Sequence, residues 1–219
     1  MRCMPNLAFV AALQAQLVNL QHDNEARSRL LPILGNGNPS RDLLPPAHIT
    51  PRHSAVLALL YPQAEQLFVL LTVRSGNLRS HTGEISLPGG SIDPTDASPE
   101  AAALREAHEE VGLQTHQPTI IGRLSELYVP VSNFLITPIV AWLDHAPDLA
   151  PNPNEVADVV HLPLQQLWAA DAVQTEERII RGMTLQVPHY PYGEHKIWGA
   201  TSIILTQLAL RVQAALQQI

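Results

Sequence analysis

The chain has 219 residues, 46% of them hydrophobic, and a formal charge of −7 from 20 acidic and 13 basic side chains. That length supports one compact domain with a real core and an added arm. The acidic balance argues against nucleic acid as a partner, and an anionic small molecule would need local cations or a metal to be held.

In chain order, the first feature is Cys3, the single cysteine. It excludes an intramolecular disulfide, fits a reducing cytoplasmic compartment, and is a poor nucleophile candidate at the terminus. LAFVAALQAQLV (7–18) is apolar, but two glutamines interrupt it and no small-residue cleavage site follows. Phe9, Leu13, Leu17 and Leu20 instead follow helical spacing and predict an amphipathic helix packed on the body. No run reaches the ~18 apolar residues of a spanning helix, so no membrane partner is expected. Residues 31–46, rich in Gly, Asn and Pro, read as a connection, and the compact body starts near Arg52. SAVLALLY (54–61) and QLFVLLTVR (66–74), parted by PQAE, predict a hairpin of buried strands. Residues 75–97 are loop-like. A helix over 99–111 has Ser98 as N-cap, Pro99 at its first position, Glu100 at the dipole and Gly112 as C-cap. Strand-like runs follow at 119–129 and 134–143, then a turn-rich break. After it come a strand around Val156 to Leu162, a helix from Leu164 to about Ala170, and strand pieces near 184–188 and 194–198. A last helix runs from Ala200 to Gln217, with Ile204, Leu208 and Val212 as its stripe.

The chemistry lies in SLPGGSIDPTDASPEAAALREAHEEVGL (86–113). Glu106 and Glu110 are four apart and share a helix face, with Glu109 at its edge. Like charges at that spacing destabilise a bare helix by a few tenths of a kcal/mol each. A solvated charged face with Arg105 as local partner is one reading. The other is a metal site: carboxylate oxygens on one rigid face suit Mg²⁺, which is bound by a few carboxylates plus substrate phosphates. Gly89 and Gly90 let backbone come close to helix and ligand.

Gly90, Asp96 and then Arg105-Glu106-Ala107-His108-Glu109-Glu110-Val111-Gly112-Leu113 resemble the Nudix box. The second half matches at every specified position. The first half departs twice: Asp96 stands where the family has Glu, and eight residues instead of seven separate it from Arg105. Asp96 is then a turn residue or a neutralising partner of Arg105. Upstream, Leu70-Leu71-Thr72-Val73-Arg74-Ser75, Arg79, Gly83 and Leu87-Pro88-Gly89-Gly90 are similar to the signature of the coenzyme A pyrophosphatase branch, with Leu87 in place of its usual Phe. That branch often carries the one-residue extension inside the box. Ile197-Trp198-Gly199-Ala200-Thr201 resembles its C-terminal segment.

The resemblance implies an α/β fold, the Nudix α/β/α sandwich, with a mixed sheet and a loop-helix-loop box. It divides the chain into a helical arm and linker (1–49) and a Nudix hydrolase domain (50–219). It implies metal-dependent hydrolysis of the pyrophosphate of coenzyme A or its derivatives, giving 3′-phospho-AMP and a 4′-phosphopantetheine moiety. The alternatives are another nucleoside diphosphate, such as ADP-ribose or a dinucleotide, and a Nudix-fold binding protein without turnover. The implied cofactor is Mg²⁺ or Mn²⁺, with Glu106 and Glu110 as primary ligands and Glu109 as ligand or general base. The Gly89 carbonyl is a further ligand, and Arg105 orients a carboxylate of the box. Arg74, Arg79 and His81 are candidates for substrate contact, and Glu155 for a further acidic ligand or base. Three further expectations rest on the residues: His108 as a partly buried helix residue, Trp198 in the core, and His189, Tyr190, Tyr192 and His195 as aromatic packing around a hairpin, with stacking on the adenine end of a substrate as the alternative. The arm has two open roles, covering a homodimer interface or shielding the site.

Overall fold

The computed structural model describes residues 7–18, 21–40, 44–76, 83–169, 171–180 and 182–219. Cys3, Leu20, Arg79 and His81 lie outside them. The centre is an eight-stranded mixed sheet. Strands β2 (Arg52–Gln63) and β3 (Gln66–Arg74) form the expected hairpin, but they pair only over Leu60–Gln63 with Gln66–Val69. Beyond that the two strands diverge. β5 (Gly89–Ser91) takes the free edge of β2, and β4 (Ile85–Ser86) takes the end of β3. β2 also runs parallel to β8 (Phe134–Trp142) along its length. β9 (Val156–Pro163) closes the other side of β3. The divergence of β2 from β3 opens the crevice that holds the site.

Period-two alternation divides β2 between two cores. Ala55, Leu57, Leu59 and Tyr61 face helix α3 (Pro99–Val111), which packs through Ala102, Ala103, Ala107 and Val111. Small alanines bring that helix close to the sheet. Ser98 caps it by accepting from the Ala101 N–H at 3.2 Å, worth about 1 kcal/mol. Gly112 ends it at φ 71, and a Cβ there would lie 2.9 Å from the Ala150 carbonyl oxygen.

On the opposite face, Ala58 and Leu60 join Phe9, Leu13 and Leu17 of α1 (Leu7–Leu17) in one cluster. The same cluster takes Ile204, Leu208 and Val212 of α4 (Gly199–Leu216), so both predicted stripes are buried. Helix α2 (Gln21–Leu30) is tied to α4 by the buried Asp23–Arg211 pair at 2.8 Å. A second, antiparallel sheet places β11 (Met183–Tyr192) between β10 (Gln174–Ile180) and both β1 (Ile33–Leu34) and β12 (His195–Trp198).

Four local expectations change. The 119–129 run breaks into β6 (Thr119–Arg123) and β7 (Leu127–Val129), both paired to β8. The helix after Leu164 is a 3-10 turn ending at Trp168. Residues 31–46 contribute β1 to the second sheet, and β4 and β5 arise within the loop-like 75–97. Among the described residues no helix is long and apolar enough to cross a membrane.

Candidate active site

A cavity of about 950 Å³ opens at the crevice, at the upper end of the ~300–1,000 Å³ typical of small-molecule sites. Glu106, Glu110, Glu84 and Glu155 line it, against Arg52 and Arg74 among the described residues. Four carboxylates against two guanidiniums would repel a polyphosphate unless a cation joined them.

The helix supplies the first two carboxylates. Glu110 follows Ala107 on the buried edge of α3 and is 6% exposed. Burial raises its pKa to about 8, helped by Glu106 and Glu155, while Arg74 and the Gly89 amide N–H facing it pull the other way. Glu106 is also raised, first by burial, against the pull of Arg105. Its carboxylate lies where Gly90 has no side chain: a Cβ there would be 2.5 Å from Oε1. Gly89 is held in antiparallel register with Val56 at φ 154, where a Cβ would meet the Ala55 carbonyl oxygen at 2.4 Å.

Arg105 organises the box from outside the cavity. Its Nε and Nη2 donate to Asp96 at 3.0 and 2.9 Å. Nη1 donates to Glu106 at 3.0 Å and to Glu109 at 3.2 Å, and Nη2 also reaches the Ser91 carbonyl at 3.1 Å. The Arg105 fork holds the Asp96 carboxyl below the usual carboxylate range. Asp96 also accepts from the Asp93 N–H at 2.8 Å, so both of its expected roles, turn residue and partner of Arg105, are realised.

The third carboxylate comes from the segment before β9. Asn152 N–H donates to the Glu110 carbonyl at 2.9 Å, and the Glu155 N–H returns to the Asn152 carbonyl at 3.0 Å. Asn152 Nδ2 then donates to Glu155 Oε1 at 3.1 Å, setting that carboxylate at the cavity wall. A register shift between Val73 and Arg74 in the β3–β9 pairing aims Arg74 at the same place.

Among the described residues no three His, Cys, Asp or Glu side chains are gathered into a cage for an ion. Mg²⁺ does not require one, since it keeps several waters and takes one or two carboxylates. Two observations fit such an ion beside Glu106 and Glu110. Glu110 Oε2 is buried with no hydrogen-bond partner among the described residues, and the donors present are hard oxygens.

The remaining expected residues divide. Glu109 is exposed, held toward Arg105, and does not line the cavity. His108 is exposed, not partly buried: it sits on the solvent side of α3 with Nδ1 3.0 Å from the Leu113 carbonyl. Trp198 is not core. It is half-buried on the cavity wall, under the Arg178 guanidinium at 4.6 Å, because β12 is an edge strand of the second sheet. His189 and Tyr190 are buried packing residues, Tyr190 bonded to Thr206 Oγ1 at 2.7 Å, and His195 is exposed. Arg52, Ser54 and Phe134 on the cavity wall had no local signal. Only the β2 alternation, read with the β2–β5 pairing, would have placed Arg52 and Ser54 there.

The raised Glu110 pKa has a testable sign. Between its ordinary value of 4.5 and about 8, the folded metal-free protein binds a proton that the unfolded chain has released. That contribution to stability is full below about 4.5 and is lost as pH rises through about 8. The Tm of metal-free wild type minus that of Glu110→Gln should therefore fall steadily from acidic to mildly alkaline pH. A flat or rising difference would refute the buried, raised carboxyl.

A NUDIX domain model matches residues 51–183. A Nudix hydrolase, NudL, of Photorhabdus laumondii is 40% identical over 162 residues, covering 74% of this chain and 86% of that protein. The peroxisomal coenzyme A diphosphatase NUDT7 of Mus musculus is 41% identical over 118 residues, 54% of this chain and 50% of the mouse protein. Among solved structures, a MutT/nudix family protein from Enterococcus faecalis superposes with a TM-score of 0.52 over 76% of this chain and 63% of that one, at 20% identity, a likeness of fold.

Proposed function

This chain belongs to the Nudix hydrolase family, whose members act on phosphoric anhydrides, and from that premise we propose that it hydrolyses the pyrophosphate of coenzyme A or its derivatives. The observation that carries the proposal is the Glu106–Glu110 pair, whose Glu110 Oε2 has no partner among the described residues, on the wall of a cavity that Arg74 also lines. The coenzyme A class is supported by the LLTVRS…LPGG run upstream and by the likeness to the mouse diphosphatase.

In this reading Glu106 and Glu110 would hold Mg²⁺ or Mn²⁺, with the Gly89 carbonyl as a further ligand. When bound there, a divalent ion would neutralise the pyrophosphate and lower the pKa of the attacking water. The water oxygen bonds to one phosphorus and the bridging P–O bond breaks. The products are 3′-phospho-AMP and 4′-phosphopantetheine, or its acyl form. The water's proton passes to a carboxylate, a step worth typically ~10²–10⁴-fold. Two residues are available for it. Glu155 faces the cavity, and Glu109 lies on the box helix but is turned to Arg105. Arg74, Arg79 and His81 contact the phosphates; a guanidinium fork suits paired oxygens. Arg105 positions Glu106 through its 3.0 Å bond. The single cysteine accords with a cytoplasmic enzyme.

The test is a substrate panel with and without divalent ion: coenzyme A, acetyl-coenzyme A, ADP-ribose, NADH and a diadenosine polyphosphate. Turnover of the first two above the rest is expected. Preference for ADP-ribose or NADH would keep the family chemistry and refute the substrate class.

A further inference from the structure

Arg52 stands apart among the charged groups of the cavity. It opens β2, directly across the parallel register from Phe134 on β8. Its guanidinium lies over the Phe134 ring, 4.1 Å from the centroid, and Nη2 donates to the Ser132 carbonyl at 2.9 Å. Those two contacts fix the plane of the fork. No carboxylate among the described residues pairs with it. In a chain of charge −7, a cation held in place on a cavity wall with no acid among the described residues has the chemistry to take an anion.

Its position relative to the carboxylate pair follows from the strand. Gly90, against which the Glu106 carboxylate rests, pairs with Ala55, and Arg52 is three residues earlier. At ~3.3 Å per residue the two backbone positions are roughly 10 Å apart. Ser54, between them, also lines the cavity. A ligand whose pyrophosphate lies at Glu106 and Glu110 can present a second anionic group to Arg52, a short distance along β2. In coenzyme A that group is the 3′-phosphate, one ribose from the pyrophosphate. ADP-ribose, NADH and diadenosine polyphosphates carry no phosphate there.

We propose that Arg52, seated on Phe134, binds the 3′-phosphate of the substrate and makes the enzyme discriminate 3′-phosphorylated nucleotides from their dephosphorylated counterparts. The assignment rests on the coenzyme A reading above and names the residue that would enforce it.

The experiment compares kcat/KM for coenzyme A and 3′-dephospho-coenzyme A in wild type, Arg52→Ala and Arg52→Lys. Calorimetry on the same proteins compares the Kd of 3′-phospho-AMP with that of AMP. Wild type should favour coenzyme A by roughly 10- to 100-fold, the worth of a charge-assisted bond. Arg52→Ala should erase that preference by lowering kcat/KM for coenzyme A alone, leaving dephospho-coenzyme A unchanged. Arg52→Lys, which keeps the charge and loses the fork, should retain part of it. The preference for 3′-phospho-AMP over AMP should vanish in step. Equal losses on both substrates would assign Arg52 to holding the Ser132 turn and overturn the proposal, as would a wild type indifferent to the 3′-phosphate. If wild type cleaves neither substrate, the coenzyme A reading falls. The calorimetry then decides the Arg52 assignment alone: a 3′-phosphate preference lost in Arg52→Ala sustains it, and its absence overturns it.

Discussion

Glu106→Gln should lower kcat by roughly 10²–10³-fold, the equivalent of several kcal/mol of charge stabilisation at ~1.4 kcal/mol per tenfold. The isosteric amide keeps the shape of the side chain and removes one anionic oxygen from the pair. Stability should not suffer in the metal-free protein. Glu106 is a half-buried carboxylate whose ionised form is disfavoured by burial and by Glu109 and Glu155, so neutralising it relieves a cost. The loss of the 3.0 Å bond from Arg105 offsets part of that gain. Divalent ion should raise the Tm of wild type and raise that of the variant much less, because ligand binding to the folded state stabilises by mass action. Gly90→Ala should reproduce most of the activity loss without altering any charge, since its Cβ would fall 2.5 Å from the Glu106 carboxylate. Wild-type turnover in Glu106→Gln would remove this residue from the metal site.

The second large effect is on folding. Asp23→Ala should destabilise the protein by roughly 3–5 kcal/mol, because it breaks a buried ion pair from one side while the Arg211 guanidinium stays buried. Arg211 is 0% exposed and donates to Asp23 at 2.8 Å. The second Asp23 oxygen accepts from Ser125, so one carboxylate joins α2, α4 and the turn before β7. For a chain of this size the Tm should fall by on the order of 10 °C. Activity per folded molecule should hold, since none of these residues lines the cavity. The result bears on the first 49 residues, expected as an arm beside the domain. Phe9 and Leu13 are fully buried in the cluster that also holds α4. A single cooperative transition, lowered as a whole, would place α1 and α2 inside the folding unit; an unchanged Tm would make them an appendage.

The parts legible in the sequence were those specified by short-range chemistry. The α3 boundaries follow from Ser98, Pro99 and Gly112, each acting within one turn. The β2–β3 hairpin follows from two apolar runs around a short polar break, and the Glu106–Glu110 face from helical periodicity alone. What was not legible depends on pairing across distance. β10, QTEERII, is a mostly exposed strand whose polar sequence has no core side to alternate against. β1 is two residues long and exists because β11 offers it an edge. The cavity arises because β2 and β3 separate after four paired residues, and nothing local in either strand marks that point. Arg52 carried no signal as a cavity residue, and Trp198 was expected in the core, for the same reason: each lines a cavity whose other walls come from distant parts of the chain. Glu155 stood between the two cases, identified by its place beyond the box and brought to the cavity by Asn152.

The central claim, cleavage of the coenzyme A pyrophosphate at a metal held by the Glu106–Glu110 pair, is tested most directly by product masses. Purified protein is incubated with coenzyme A, with Mg²⁺ or Mn²⁺ and with chelator. 3′-Phospho-AMP and 4′-phosphopantetheine are expected in equal amounts, only when the ion is present. Intact coenzyme A after incubation with folded, metal-loaded protein, or release of dephospho-coenzyme A and inorganic phosphate, would contradict the claim.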